Sequence, residues 1–257
     1  VFQRLSRHGL KLRTDKCQFL QRQVKFLGHV VDKSGISPDP EKTAAVQGWP
    51  VPSTVREVRA FLGLAGYYRR FIVNFARMAQ PLNALLVGVS ADKKSSSRKV
   101  EWSTDCQDAF VKLKTCLTQA PILAYADFSL PFVLYTDASH QGLGAVLSQI
   151  QEGQERVIAY ASRSLHPAER NNANYRSFNT IERECLAIKW AVPTLRYYLL
   201  GRAFTICSDH AQLQWLHRMK DTNERITRWY LPLQPFKFEV VHRLGAQMVM
   251  ANFFSRQ

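Results

Sequence analysis

Acid is what this sequence is short of. Its 257 residues carry 20 Asp and Glu against 35 Lys and Arg, a formal charge of +15. That deficit excludes a chain built to hold cationic partners. It favours polyanions, whose condensed counterions are released when Lys and Arg replace them. The imbalance is local: the first hundred residues hold 18 Lys and Arg against 6 Asp and Glu, the rest 17 against 14. The basic N-terminal part is the expected electrostatic grip. Cysteine is sparse as well. Cys17, Cys106, Cys116, Cys185 and Cys207 are odd in number and form no CxxC pair. That argues against a zinc site or disulfide framework and for free thiols in a reducing compartment, cytoplasmic or nuclear. No run is long and apolar enough to span a membrane, and neither a signal peptide nor a lipidation signal is present. No internal repeat occurs. The chain opens on Val1 rather than Met, which reads as a piece of something longer.

What is there is enough apolar sequence for two modest domains, each with its own core. Helical spacing over residues 2–13 stops near Gly9. Residues 24–31 are rich in β-branched and aromatic side chains and read as a strand. Asp32-Lys33-Ser34-Gly35 supplies a turn, and Ile36 begins a return strand. Residues 41–49 form a short helix between prolines. Ser53 or Thr54 caps a second helix with Val58, Phe61, Leu62 and Ala65 on one face. Residues 67–86 are expected to continue as helix, with Arg69, Arg70 and Arg77 opposite Phe71, Phe75 and Leu82. Residues 90–100, polar and rich in Ser and Lys, read as a linker. Beyond it Ser103 caps a helix. Strands then follow at 132–137, 143–149, 156–162, 204–208 and 237–242, with a long helix over 178–200. Three antiparallel strands, a helix and a parallel strand make a mixed α/β sheet.

Three acids stand out against the basic background. Asp137 ends a strand, Glu184 lies on the long helix among apolar Ile181, Leu186 and Ile188, and Asp209 closes another strand. Strand-end acids at one sheet edge, joined by an acid from the crossing helix, can converge on a divalent cation. The cation relieves their mutual repulsion. Oxygen-only ligation suits Mg²⁺ or Mn²⁺, and a two-ion site would serve phosphodiester cleavage. Singly, Asp137 and Asp209 read equally well as caps, and Glu184 as one half of a surface i,i+4 pair.

The motifs carry the reading further. From residue 132 onward the sequence contains YTDAS at 135–139 and GLGAVL at 142–147. IAYASRSLHPAERN follows at 158–171, ERECLAIKWAV at 182–192, YYLLGRAFTICSDH at 197–210 and LQWL at 213–216. This portion resembles the ribonuclease H domain of gypsy-type LTR retrotransposon reverse transcriptases. FLGH at 26–29 resembles that family's primer-grip hairpin. PDPEK at 38–42 and VREVRAFLGLAGYYRRFI at 55–72 resemble its thumb and connection. The resemblance implies a ribonuclease H-like five-stranded mixed sheet over 101–257. It implies a palm remnant with thumb and connection over 1–89.

The resemblance places metal ligands on Asp137, Glu184 and Asp209. The family's fourth ligand is an Asp in a terminal motif of the form HRPGKxNxxADALSR, which reads HRLGAQMVMANFFSR at 242–256. The ligand position is therefore Asn252, an uncharged amide, and affinity for a second ion should fall. His242, at a strand end near the site, is a candidate for proton transfer or product release. Candidate phosphate contacts are Lys25, Arg69, Arg70, Arg77 and Arg163. The family's polymerase acids, including its YxDD pair, lie upstream of the matched region, so this chain alone is not expected to polymerise. The implied activity is Mg²⁺-dependent hydrolysis of RNA in RNA–DNA hybrids, within a reverse transcriptase polyprotein. A weakened or inactive nucleic-acid-binding remnant is the alternative, and a structural part of a larger reverse transcriptase is a third reading.

Overall fold

A computed structural model describes residues 1–13, 15, 17–89, 97–167, 169, 180–215 and 224–243. After a short helix α1 (Phe2–Arg7) come three strands, β1 (Gln23–Phe26), β2 (His29–Asp32) and β3 (Gly35–Pro38), in an antiparallel sheet of that order. The β-rich run over 24–31 is itself a hairpin, turned at the FLGH segment, with Phe26 paired to His29. Leu27 and Gly28 turn it with φ of 47° and 72°, and a Leu in the left-handed region is not legible from propensity. The turn is held from outside, because the Tyr67 hydroxyl donates to the Leu27 carbonyl and the Tyr68 hydroxyl to that of Gly28.

Helices α2 (Pro40–Gln47) and α3 (Val55–Tyr67) follow. Thr54 caps α3 by accepting from the Glu57 amide, and the Glu57 carboxylate accepts in return from the Ser53 amide. This reciprocal pairing satisfies donors that the first helical turn leaves open. The continuous helix expected over 67–86 is broken. A 3-10 turn at Arg69–Phe71 gives way to α4 (Phe75–Met78) and α5 (Gln80–Ala84). Ile72 turns extended at φ −116° after the 3-10 turn, and Asn74, left-handed at φ 53°, precedes α4. Helix α6 (Thr104–Thr118), capped by Ser103, buries Phe110, Leu113 and Leu117. The Phe110 ring lies 4.6 Å from that of Phe61 on α3.

The second sheet orders its five strands β6-β5-β4-β7-β8. They are β4 (Phe132–Ala138), β5 (Gly142–Gln151), β6 (Gln154–Ser164), β7 (Ala203–Ser208) and β8 (Lys237–His242). β4, β5 and β6 pair antiparallel, while β4, β7 and β8 run parallel, as the mixed pattern required. Helix α7 (Thr180–Thr194) supplies the crossover from β6 to β7, and α8 (Arg196–Leu199) continues it after a break at Leu195. Pro193, which cannot donate a helical hydrogen bond, sits in the last turn before the break. Between β7 and β8 lie a 3-10 turn at Ala211–Trp215 and α9 (Glu224–Tyr230).

Both faces of this sheet are covered. Phe132, Leu134, Leu147 and Ile206 meet Ile188, Ala191 and Val192 of α7. Tyr135, Val146 and Cys207 face the other way and join a core with Phe61, Phe71, Phe110 and Leu113. The alternation of Leu134 and Tyr135 is the two-residue period of a strand expressed as two cores. A second seam ties the halves: Ile36 and Leu123 exchange backbone bonds of 2.8 and 2.9 Å. Gly35 allows that approach, since a Cβ there would stand 2.2 Å from the Leu123 carbonyl oxygen.

Candidate active site

The parallel strands β4 and β7 point the same way, so their C-terminal ends share one edge of the sheet. Asp137 is the penultimate residue of β4 and Asp209 follows β7 directly. Glu184 projects from the second turn of α7 and is only 5% exposed. Three separate elements therefore bring three acids to the same end of the sheet. Their electrostatics reports the proximity. Burial raises the Glu184 carboxyl to about 8, and the charges of Asp137 and Asp209 add to the effect. Burial raises Asp137 as well, with the Asp209 charge next in importance. The Ala138 amide, beside both carboxylates, opposes each shift.

One Glu184 oxygen, Oε2, is buried without a hydrogen-bond partner. An orphaned carboxylate oxygen beside two further acids is costly unless a proton or a cation meets it. Among the described residues, no three His, Cys, Asp or Glu side chains form a group that could hold a metal ion. The donor chemistry of the three acids and the orphaned oxygen fit a hard divalent cation.

His242 ends β8 opposite Ser208, and its Nε2 lies 3.1 Å from the Asp209 carbonyl oxygen. With Nε2 donating, Nδ1 is the accepting nitrogen. Asn252 lies outside the described residues. Next to Glu184, burial and the Glu184 charge push the Cys185 thiol up to about 12, so it is inert as a nucleophile.

The basic candidates separate. Arg77 reaches the acids: its charge acts on Asp137, and the two residues line one small notch. Arg163 lines the same notch but is committed to Glu169 through a bidentate pair at 2.6 and 2.9 Å. Lys25 pairs with Glu41 at 2.6 Å, and Arg70 sits 5.7 Å from the Phe71 ring centre. Arg69 is exposed on its 3-10 turn. Sequence reasoning overlooked the surroundings of the acids, namely Asn74, Ser139, Ser162 and the Ala138 amide. It also missed that Arg183, beside Glu184, lies 3.1 Å from the His140 ring nitrogens. The one available signal was Gly142 and Gly144 next to a strand-end Asp.

A family model described as "RNase H-like domain found in reverse transcriptase" matches residues 127–236. The chain is 42% identical over 256 residues to the retrovirus-related Pol polyprotein from transposon 297 of Drosophila melanogaster. Residues 127–236 belong to the RNase H-like domain family found in reverse transcriptases, and the whole chain is similar to a segment of retrotransposon Pol polyproteins. All of the chain but only 23% of the transposon 297 polyprotein takes part in that match. The Pol polyprotein from transposon gypsy of the same organism is 40% identical, over 97% of this chain and 24% of its own length. The chain thus spans about a quarter of the length of these curated relatives. Among solved structures, the foamy viral protease-reverse transcriptase in complex with RNA/DNA hybrid is similar with a TM-score of 0.71 and 21% identity. That likeness covers 89% of this chain and 30% of the viral one, and it supports the ribonuclease H-like fold. No described helix is long and apolar enough to cross a membrane.

Proposed function

We propose that this ribonuclease H-like domain is a divalent-metal-dependent endonuclease that hydrolyses the RNA strand of RNA–DNA hybrids as part of a reverse transcriptase polyprotein. One observation carries the reading. Asp137, Glu184 and Asp209, from three separate elements, lie close enough for the charges of Asp137 and Asp209 to raise Glu184, whose Oε2 is buried and unpartnered. The foamy viral protease-reverse transcriptase bound to RNA/DNA hybrid has a similar fold, which supports a hybrid as the substrate class.

Asp137, Glu184 and Asp209 would hold Mg²⁺ or Mn²⁺, with Asn252 as an uncharged fourth donor that weakens a second ion. Bound there, divalent ions supply Lewis acidity toward a phosphodiester and its attacking water. The chain's own residues do the rest. The Ala138 amide steadies Asp137 and Glu184. Burial of Glu184 keeps bulk water from screening the acids. His242, oriented by the Asp209 carbonyl, presents Nδ1 to accept a proton. Contacts to 2′-hydroxyls would distinguish the RNA strand from DNA.

The Asn at position 252 favours a second reading, a nucleic-acid-binding remnant that cuts weakly or not at all. A labelled hybrid incubated with the chain in Mg²⁺ and in Mn²⁺, beside Asn252→Asp, separates the two. Metal-dependent RNA cleavage supports the nuclease. Rescue by Asn252→Asp alone assigns the defect to that ligand. Salt-sensitive binding with no cleavage by either protein leaves only the remnant.

A further inference from the structure

We propose that Arg77, delivered by the N-terminal half, forms with the Asp137 edge of the sheet a subsite for one backbone phosphate of the nucleic acid. The inference rests on the nuclease reading for its substrate class but on different observations for its geometry.

Asp137 on β4 lies opposite Gly144 on β5, and Gly144 lies opposite Ser162 on β6. Residues in such a row point to the same face. Gly144 has no side chain, so the row carries a gap between Asp137 and Ser162. Gly142 lines the same gap, packed so closely that a Cβ there would stand 2.7 Å from the Arg163 carbonyl oxygen. The result is a notch of about 20 Å³, walled by Asp137, Ser139, Gly142, Gly144 and Ser162. That is room for one water or one phosphate oxygen.

The far wall comes from elsewhere in the chain. The left-handed Asn74 ends the preceding segment and starts α4, whose Ala76 amide donates to Ser162 Oγ at 3.0 Å. This bond docks α4 on the sheet edge and sets Asn74 and Arg77 over the notch. Arg77 is exposed and lines the notch together with Asp137. The exposed guanidinium beside the notch can take an anion that enters it, and on a nucleic acid that anion is a phosphate, which matches its fork of donors. Arg163 does not compete for this role, because Glu169 already holds both of its terminal nitrogens. The N-terminal half thereby supplies a positioning residue to the ribonuclease H domain.

The test measures binding, in EDTA, of the full chain to a fluorescent RNA–DNA hybrid across a potassium chloride series, so that no cleavage is required. Arg77→Ala and Arg77→Gln should weaken binding several-fold and lower the salt slope by about one, while Arg77→Lys keeps the slope. Hybrids carrying one neutral methylphosphonate at successive linkages then locate the contact. The parent should lose affinity at one linkage to which Arg77→Ala is indifferent, with both proteins equally sensitive elsewhere. An unchanged slope, or identical linkage profiles for the two proteins, overturns the proposal. Failure of the nuclease reading is distinguishable, because it would abolish cleavage and leave the linkage profile intact.

Discussion

Replacing Glu184 with glutamine is expected to make the metal-free protein more stable at alkaline pH while removing any nuclease activity. The Glu184 carboxyl is pushed from an ordinary 4.5 to about 8 by burial first, then by Asp137 and Asp209. Between those values the folded state keeps a proton that the unfolded chain releases. The associated stability is therefore complete below about pH 4.5 and is lost as pH rises through about 8. A shift of that size corresponds to about 5 kcal/mol between the two protonation states. Relaxation and water entry around a buried charge reduce this, leaving roughly 2–4 kcal/mol. Glutamine has nearly the same shape and no charge to desolvate. Urea denaturation in EDTA, followed by fluorescence from pH 5 to 8.5, measures the effect. The parent should weaken steadily over that range, whereas Glu184→Gln should weaken less. Mg²⁺ should restore the parent at pH 8.5 far more than the variant. A parent of constant stability across the range would refute the reasoning. So would a Glu184→Gln protein less stable than the parent at pH 8.5.

Two further substitutions test the packing that positions the site. Gly142→Ala drives a Cβ to within 2.7 Å of the Arg163 carbonyl oxygen, and β5 and β6 must separate to admit it. The expected cost is about 1–3 kcal/mol, read as a lower urea midpoint. Phe61→Ala empties a fully buried site against the Phe110 ring. It should cost about 3–5 kcal/mol. Because Phe61 shares one core with Tyr135 and Val146 of the sheet, calorimetry should show both halves melting together at a lower temperature.

The sheet was the most legible part of the fold. All five strands lie within two residues of their expected limits, because each alternates or runs apolar for its full length and stops at a turn. The expected helix over 178–200 is shorter among the described residues, ending at Thr194 where Pro193 removes a donor, then resuming for one turn. Residues 67–86 misled because propensity is continuous through them, whereas Ile72 is extended and Asn74 adopts a positive φ. At 26–29 the turn conformation of Leu27 is held by the Tyr67 hydroxyl, which no local pattern announces. In the site, the three acids were legible from their positions at strand ends and on the crossing helix. The partnership of Arg77 with Asp137 was not. It joins residues sixty apart and depends on a bond between the Ala76 amide and Ser162 that no local pattern announces. Lys25 and Arg163 looked like free cations in the sequence, and the fold pairs them with Glu41 and Glu169.

Asp137, Glu184 and Asp209 are proposed to act as one metal-dependent cutting site. The direct measurement is the length of a labelled RNA strand, annealed to DNA, after exposure to the protein with Mg²⁺ or Mn²⁺. Parallel reactions contain EDTA, Asp137→Asn or Asp209→Asn. RNA shortening that needs the metal, needs both acids and leaves duplex DNA intact is the expected result. Intact RNA in every lane, for the parent and for Asn252→Asp alike, would contradict it, as would cleavage that survives EDTA or the loss of Asp137.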